Sequence, residues 1–217
     1  MRSASSLPKE YFDRLYHQSV GADPWEFRVS QYEADKYAAT LDQLPRPRYR
    51  SALEVGCSIG VFTRRLADRV EDLLAIDLSE AALTQAKALC RDQPHVRFAL
   101  VDLLAAIPPG RFDLIVVSEV AYYWSPADFG RVFRGLVQQL TPAGQIILVH
   151  WRASVPDYPQ TGDDVHGLAE QLAGLEGLNH AGRWIKPKYR SDLWEREERT
   201  LSARPTEADT ASRQSRR

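Results

Sequence analysis

Short apolar segments alternate with segments of helical spacing through the middle of the chain. The apolar segments are predicted as strands over 51–55, 73–76, 96–101, 112–117 and 145–149. Between them, apolar residues recur every three or four positions, which is the period of an amphipathic helix. This alternation is typical of an α/β protein whose strands run parallel. We therefore predict a Rossmann-like sheet with helices on both faces.

The helices that connect these strands are predicted over 60–70, 80–91 and 128–140. Ser79 immediately precedes the second of them, and its hydroxyl can accept from the unpaired N–H groups of the first turn. Proline and glycine in the stretch 142–144 predict a turn that separates the third helix from the last strand.

Beyond residue 151 the pattern changes to a proline-containing loop and a helix predicted over 163–175. The stretch "NHAGRWIKPKYRSDLWERE" (179–197) predicts two further strands around "KPK". An antiparallel hairpin there would complete a seven-stranded, mainly parallel sheet.

The chain is predicted to divide into three parts. Residues 1–45 form an N-terminal helical lid, residues 46–201 form the main domain, and residues 202–217 form a disordered tail without large apolar residues. The leader is rich in aromatic residues, which suit either a lid over a site or an amphipathic helix packed on the sheet.

Composition narrows the classes of partner. The 217 residues contain 28 basic and 29 acidic side chains, and this balance gives no reason to expect nucleic acid. No apolar stretch approaches a membrane span and no signal-peptide core is visible, so we expect a cytoplasmic protein without membrane insertion. The only two cysteines, Cys57 and Cys90, have neither disulfide nor metal-ligand spacing.

The first predicted strand enters its helix through a glycine turn, "LEVGCSIG" (53–60). Such a turn lets the backbone approach a ligand closely. However, the spacing is G-x-x-x-G, and Ser58 stands where a dinucleotide fingerprint has its second glycine. A ligand without a pyrophosphate is therefore favoured, and the Ser58 hydroxyl is expected to make a contact of its own.

Three acidic residues are predicted to converge beside this turn. Glu54 lies on the first strand, Asp77 ends the second in "AIDLS", and Asp102 ends the third in "VDLL". The carboxyl ends of neighbouring parallel strands line one crevice. Asp77 suits a ribose diol, Asp102 an exocyclic amine, and Glu54 a cationic amino-acid group reached through water or backbone. A cationic nucleoside without phosphates fits this set, and S-adenosylmethionine is such a ligand.

In the order of these three motifs, residues 51–149 resemble class I S-adenosylmethionine-dependent methyltransferases. The resemblance implies a cofactor site without metal. Its residues are expected to be Trp25, Glu54, Gly56, Cys57, Ser58, Gly60, Asp77, Leu78, Asp102, Leu103 and Glu119.

Three further stretches narrow the resemblance. "DPW" (23–25), "LEVGC" (53–57) and "IVVSEVAYYW" (115–124) are similar to the nodulation-factor N-methyltransferase (NodS-type) group, and "HWRASVPDYPQTGDDVHGL" (150–168) to its wider relatives. This resemblance implies N-methylation of a deacetylated amino sugar or oligosaccharide. Methylation of another small metabolite at oxygen or nitrogen is the alternative, and a binding module without catalysis is a further one.

An ammonium cannot attack a methyl group, so an amine acceptor needs a group that takes its proton. The candidates that follow the fourth and fifth predicted strands are Glu119, Tyr122, Tyr123 and His150, and the two tyrosines are also candidates for stacking on a sugar ring. Each has a structural alternative: a capping carboxylate, a buried histidine that satisfies a hydrogen bond, or a packed aromatic ring. A metal site at His166 and the Asp163–Asp164 pair is disfavoured, because their spacing matches no known ligand pattern.

Overall fold

The computed structural model describes residues 5–19 and 23–198. The tail predicted over 202–217 lies outside the described residues. Within them, no helix combines the length and the apolar character that crossing a bilayer requires.

A seven-stranded sheet forms the centre of the described structure. Its strands are β1 Tyr49–Val55, β2 Val70–Asp77, β3 Val96–Leu100, β4 Phe112–Ser118, β5 Leu140–Trp151, β6 Leu178–Ile185 and β7 Tyr189–Arg196. Their order across the sheet is β3-β2-β1-β4-β5-β7-β6. β1 to β5 pair in parallel, and β7 pairs antiparallel with both β5 and β6. The predicted mainly parallel sheet with a terminal hairpin is confirmed.

Helices cover both faces of the sheet because the side chains of each central strand alternate between two apolar layers. The six helices in the described ranges are α1 Lys9–Gln18, α2 Gln31–Asp42, α3 Val61–Leu66, α4 Glu80–Leu89, α5 Pro126–Gln138 and α6 Gly162–Leu175. On β1, Leu53 packs toward α5 and α6, whereas Ala52 packs toward α2 and α3.

Local signals explain where several helices begin. The hydroxyl of Ser79 accepts from the Ala82 N–H at the start of α4, as predicted. Ser125 caps α5, which has Pro126 in its first turn. Thr161 and Asp164 form a reciprocal capping box at the start of α6.

Two predicted boundaries are wrong. The first helix ends at Leu66 and continues only as a 3-10 turn, because Val70 already belongs to β2. The predicted turn at 142–144 does not separate the third helix from the next strand: β5 already begins at Leu140, and the extra residues form an irregularity in its pairing with β4. Ala143 has a φ of 56°, so the bend is present but lies inside the strand.

Gly60 is the N-cap of α3 and has a φ of 82°, and a Cβ there would lie 2.9 Å from the Cα of Ala86 on α4. We expect Gly60→Ala to lower the free energy of unfolding by about 1–3 kcal/mol through backbone strain. Urea denaturation measures this change. The matched control is Gly167→Ala in α6, where an added Cβ meets nothing within 4 Å. The control should be neutral or stabilising by up to about 1 kcal/mol, and an equal loss in both variants would contradict the argument.

Candidate active site

A cavity of about 320 Å³ opens at the carboxyl ends of the parallel strands, between the sheet and the N-terminal segment. Most of the predicted site residues line it: Trp25, Gly56, Ser58, Asp77, Leu78, Asp102, Leu103, Glu119 and Tyr122. The other four, Glu54, Cys57, Gly60 and His150, do not line the cavity. Asp77 and Asp102, the carboxylates at the strand ends, therefore face the same cavity.

The glycine turn is tightly packed. Gly56 has a φ of 76°, and a Cβ at this position would overlap the side chain of Val120, which follows β4. The N–H groups of Gly56 and Cys57 both donate to the carbonyl of Ile76. The turn is thereby fixed against the end of β2, with bare backbone toward the cavity.

Asp77 connects three segments at this edge of the sheet. Its carboxylate accepts from the Ser58 N–H at 2.8 Å and from the Ser79 N–H at 2.9 Å. Burial raises the pKa of Asp77, and these hydrogen bonds act in the opposite direction. Asp102, by contrast, is exposed at the cavity rim, where it accepts from the Leu104 N–H.

Glu54 lies beneath the turn and is 2% exposed. Burial raises its pKa to about 8, and its Oε2 has no hydrogen-bond partner among the described residues. Direct contact with a ligand in the cavity is therefore not available to Glu54. The predicted convergence of three acidic residues on one ligand is therefore wrong for Glu54, and any effect of this residue on a ligand has to pass through water or backbone.

Ser58 adopts a left-handed conformation, with a φ of 49°. Its hydroxyl lies 2.6 Å from the hydroxyl of Tyr16 on α1, and both side chains are buried. Burial raises the pKa of Tyr16 well above its ordinary value, and the nearby Asp77 carboxylate adds to this effect. The neutral Tyr16–Ser58 pair joins the N-terminal segment to the glycine turn.

The aromatic residues of the N-terminal segment form one wall of the cavity. The ring of Trp25 stacks on Phe27 with centroids 5.5 Å apart, and its edge contacts Tyr16 at 5.6 Å. All three rings line the cavity. Trp25 and Phe27 lie in the connection between α1 and α2, so the aromatic cluster is not one amphipathic helix.

A buried ion cluster that the sequence analysis missed lies at the other side of the cavity. Lys36 on α2 is 2% exposed, and its Nζ lies 2.5 Å from Glu119 and 2.8 Å from Glu33. Burial acts to lower the pKa of Lys36, but the two carboxylates outweigh it and raise the pKa. Glu33 and Lys36 share the buried face of α2 with Tyr37 and Thr40, so charges on that face were the available signal.

The carboxylate of Glu119 accepts hydrogen bonds from three separate groups. Besides the Lys36 ammonium, its carboxylate accepts from the Tyr122 hydroxyl at 2.8 Å and from the Trp151 N–H at 2.9 Å. Its φ of 56° is unusual for a residue other than glycine. The strained turn after β4 therefore points a carboxylate into the cavity.

Aromatic rings surround the cavity next to Glu119. Tyr122 stacks on Tyr158 with centroids 5.4 Å apart and planes 15° from parallel, while Tyr123 contacts Tyr158 edge-on at 4.7 Å. Trp151, 37% exposed, stands at the same side. These rings provide flat apolar surface beside a carboxylate.

The prediction of His150 as a catalytic base is not supported by its surroundings. The ring is fully buried and outside the cavity, and both of its nitrogens are in use. Nε2 accepts from the Ala121 N–H at 3.1 Å, and Nδ1 lies 3.2 Å from His166. The structural alternative, a buried histidine that satisfies a backbone donor, describes His150 better.

No group of three His, Cys, Asp or Glu residues in the ranges 5–19 and 23–198 is arranged to hold a metal ion. Asp163 pairs with Arg152, and Asp164 belongs to the capping box of α6. His166 is hydrogen-bonded to Asp192.

Comparison with known proteins identifies the family. The family described as "Nodulation protein S (NodS)" matches residues 8–159. The chain belongs to the NodS family. Among curated NodS-family proteins, it is 31% identical over 136 residues to nodulation protein S of Sinorhizobium fredii and 34% identical over 127 residues to that of Bradyrhizobium diazoefficiens. These matches cover 61% and 58% of this chain, and 63% and 61% of the two relatives.

Solved structures agree with the NodS-family fold. The N-methyltransferase NodS from Bradyrhizobium japonicum WM9, solved with S-adenosyl-L-homocysteine, superposes with a TM-score of 0.76 at 22% identity. The superposition covers 87% of this chain and 97% of that protein. A candidate methyltransferase from Pseudomonas syringae is 34% identical, with a TM-score of 0.66, over 77% of this chain and 100% of that one.

We expect Tyr16→Phe and Ser58→Ala each to lower the free energy of unfolding by about 0.5–1.5 kcal/mol, because each removes the same buried hydrogen bond. The double variant should lose less than the sum of the two single losses. Urea denaturation of the four proteins provides the cycle. Strictly additive losses would show that the two hydroxyls do not interact.

Proposed function

We propose that this NodS-family protein is an S-adenosylmethionine-dependent methyltransferase. The observation that carries the proposal is the convergence of the glycine turn, Asp77 and Asp102 on one cavity at the carboxyl edge of the sheet. This is the position at which open α/β sheets bind nucleotides.

The charge of the cavity supports a cationic ligand. Its lining includes the carboxylates of Glu33, Asp77, Asp102 and Glu119, whereas Lys36 supplies the one lining ammonium among the described residues. This excess of negative charge would repel a pyrophosphate. The glycine turn also has a G-x-x-x-G spacing and lacks the second glycine of the dinucleotide fingerprint. A sulfonium and an ammonium would instead be attracted.

The residues present fit the cofactor. Asp77 would accept from ribose hydroxyls and Asp102 from an adenine amine, and the Gly56 backbone lines the same cavity. Tyr16 and Trp25 cover the same space from the N-terminal side and exclude water. When bound, S-adenosylmethionine supplies a methyl group that its sulfonium makes electrophilic.

We further propose that the acceptor is the free amine of a deacetylated amino sugar or oligosaccharide. Tyr158, which is backed by Tyr122, and the exposed Trp151 both line the cavity and offer flat surfaces for a sugar ring. Glu119 lies beside them and can accept a hydrogen bond from an ammonium, then take its proton. The NodS relative described as an N-methyltransferase is consistent with attack by nitrogen.

Two measurements test the proposal. Calorimetry with S-adenosylhomocysteine should show binding, and absence of heat and of a thermal shift would favour a module that has lost catalysis. Mass analysis should then find a methyl group added to glucosamine oligosaccharides with a free amine and none added to their fully acetylated forms. Methylation of both forms would assign the reaction to a hydroxyl group.

Asp77→Asn should weaken binding of S-adenosylhomocysteine by about 1–3 kcal/mol, because a charged acceptor for the ribose hydroxyls is lost. Titration calorimetry measures the change. The matched control is Asp72→Asn on the same strand, which pairs with Arg97 at the surface outside the cavity. Unchanged affinity in Asp77→Asn would remove this residue from the cofactor site.

Glu119→Gln should lower kcat by roughly 10²-fold for an amine acceptor, because the amide cannot take a proton. Affinity for S-adenosylhomocysteine should stay within about threefold, since Asp77 and the glycine turn are untouched. The control is Glu71→Gln, a surface residue paired with Arg48. A variant with full kcat would show that the acceptor loses its proton to another group or to solvent.

A further inference from the structure

A continuous chain of buried hydrogen bonds runs from the cavity wall to the outer hairpin of the sheet. It begins at the Ala121 N–H, which donates to Nε2 of His150 on β5. Nδ1 of His150 lies 3.2 Å from Nε2 of His166 on α6, and Nδ1 of His166 lies 2.6 Å from Asp192 on β7. His150, His166 and Asp192 are all fully buried.

This chain of hydrogen bonds permits only one arrangement of protons. The Ala121 N–H needs a lone pair on Nε2 of His150, so the proton of that ring resides on Nδ1 and is donated to His166. His166 must then carry its own proton on Nδ1, where the Asp192 carboxylate accepts it. Each ring thus has the tautomer that its neighbour requires.

Asp192 is the fixed end of the chain. Nε of Arg183 and Nε of Arg190 each donate to its carboxylate at 2.6 Å, and Nε2 of His180 lies at 2.9 Å. Burial acts to raise the pKa of Asp192, but the hydrogen bonds from His166 and the two arginines outweigh it and lower the pKa. An ionised Asp192 can only accept, so it sets the direction of every bond toward Ala121.

Packing holds the two histidines together. α6 begins directly against the end of β5, where a Cβ on Gly162 would overlap the carbonyl of Trp151 and approach Cβ of His150. One helical turn later, this contact places His166 beside His150. Burial lowers the pKa of both rings, so both are neutral near pH 7.

The other end of the chain lies in the turn that carries the acceptor side of the cavity. Ala121 stands between Glu119 and Tyr122, and the His150 ring also contacts the Tyr122 ring edge-on at 5.4 Å. We propose that His150, His166 and Asp192 are positioning residues for methyl transfer, which hold the Ala121 N–H and thereby fix Glu119 and Tyr122 toward the acceptor. This inference rests on the proposed function, but its structural part can be tested without an acceptor.

The first experiment uses the unaltered protein. Long-range ¹H–¹⁵N spectra of the histidine rings at pH 7 should show both His150 and His166 as neutral tautomers protonated on Nδ1. His150 protonated on Nε2, or a doubly protonated ring at either position, would overturn the proposal. This arm needs neither cofactor nor substrate.

The second experiment compares two substitutions at one site. His166→Leu cuts the chain, whereas in His166→Gln the side-chain carbonyl can accept from His150 and the amide can donate to Asp192. His166→Leu should speed hydrogen exchange of the Ala121 amide about tenfold and lower kcat about tenfold, with affinity for S-adenosylhomocysteine within about threefold. His166→Gln should restore both the slow exchange and kcat.

The outcomes separate the two proposals. If His166 has only a structural role, His166→Leu should lower the free energy of unfolding and the affinity for S-adenosylhomocysteine together. The Ala121 amide should then exchange as slowly as the amides beside it. That result would overturn the positioning role. Failure of His166→Gln to recover slow exchange, in a folded protein, would also overturn it. Absence of S-adenosylhomocysteine binding in the unaltered protein would instead contradict the proposed methyltransferase, whatever the exchange and tautomer measurements show.

Discussion

The Asp77 carboxylate makes the interaction on which the cavity depends. It accepts hydrogen bonds from N–H groups of the glycine turn and of the start of α4, two segments that the parallel pairing of β1 and β2 brings side by side. The sheet therefore brings a charged acceptor to a backbone that would otherwise leave its donors unpaired. Because one carboxylate holds both segments in place, the shape of this side of the cavity does not depend on a bound ligand.

The sequence predicts the part of the site whose signals are local. Glycine spacing, strand ends and acidic residues at those ends can each be recognised in a few consecutive residues, and parallel topology then brings Asp77 and Asp102 to one edge. The Ser58 hydroxyl was expected to make a contact, but its partner Tyr16 lies 42 residues away. No local pattern identifies such a partner.

The same limit explains the remaining errors. Lys36 and Glu119 are separated by 83 residues, so their ion pair arises only when α2 packs over the turn after β4. His150 was considered by its position at the end of a strand, although its neighbours on α6 and β7 decide its role. Proline and glycine indicate the bend at 142–144, but whether a bend precedes a strand or lies inside it depends on the pairing partner, here β4.

The hydrogen bond between Tyr16 and Ser58 has a consequence for how the walls of the cavity move. The N-terminal helix is bonded to the same turn that forms the floor of the cavity, and its aromatic neighbours cover the space above. Any movement of α1 away from the sheet must break this hydrogen bond or carry the glycine turn with it. The position of the N-terminal helix and the backbone that lines the cavity are therefore coupled through these two hydroxyls.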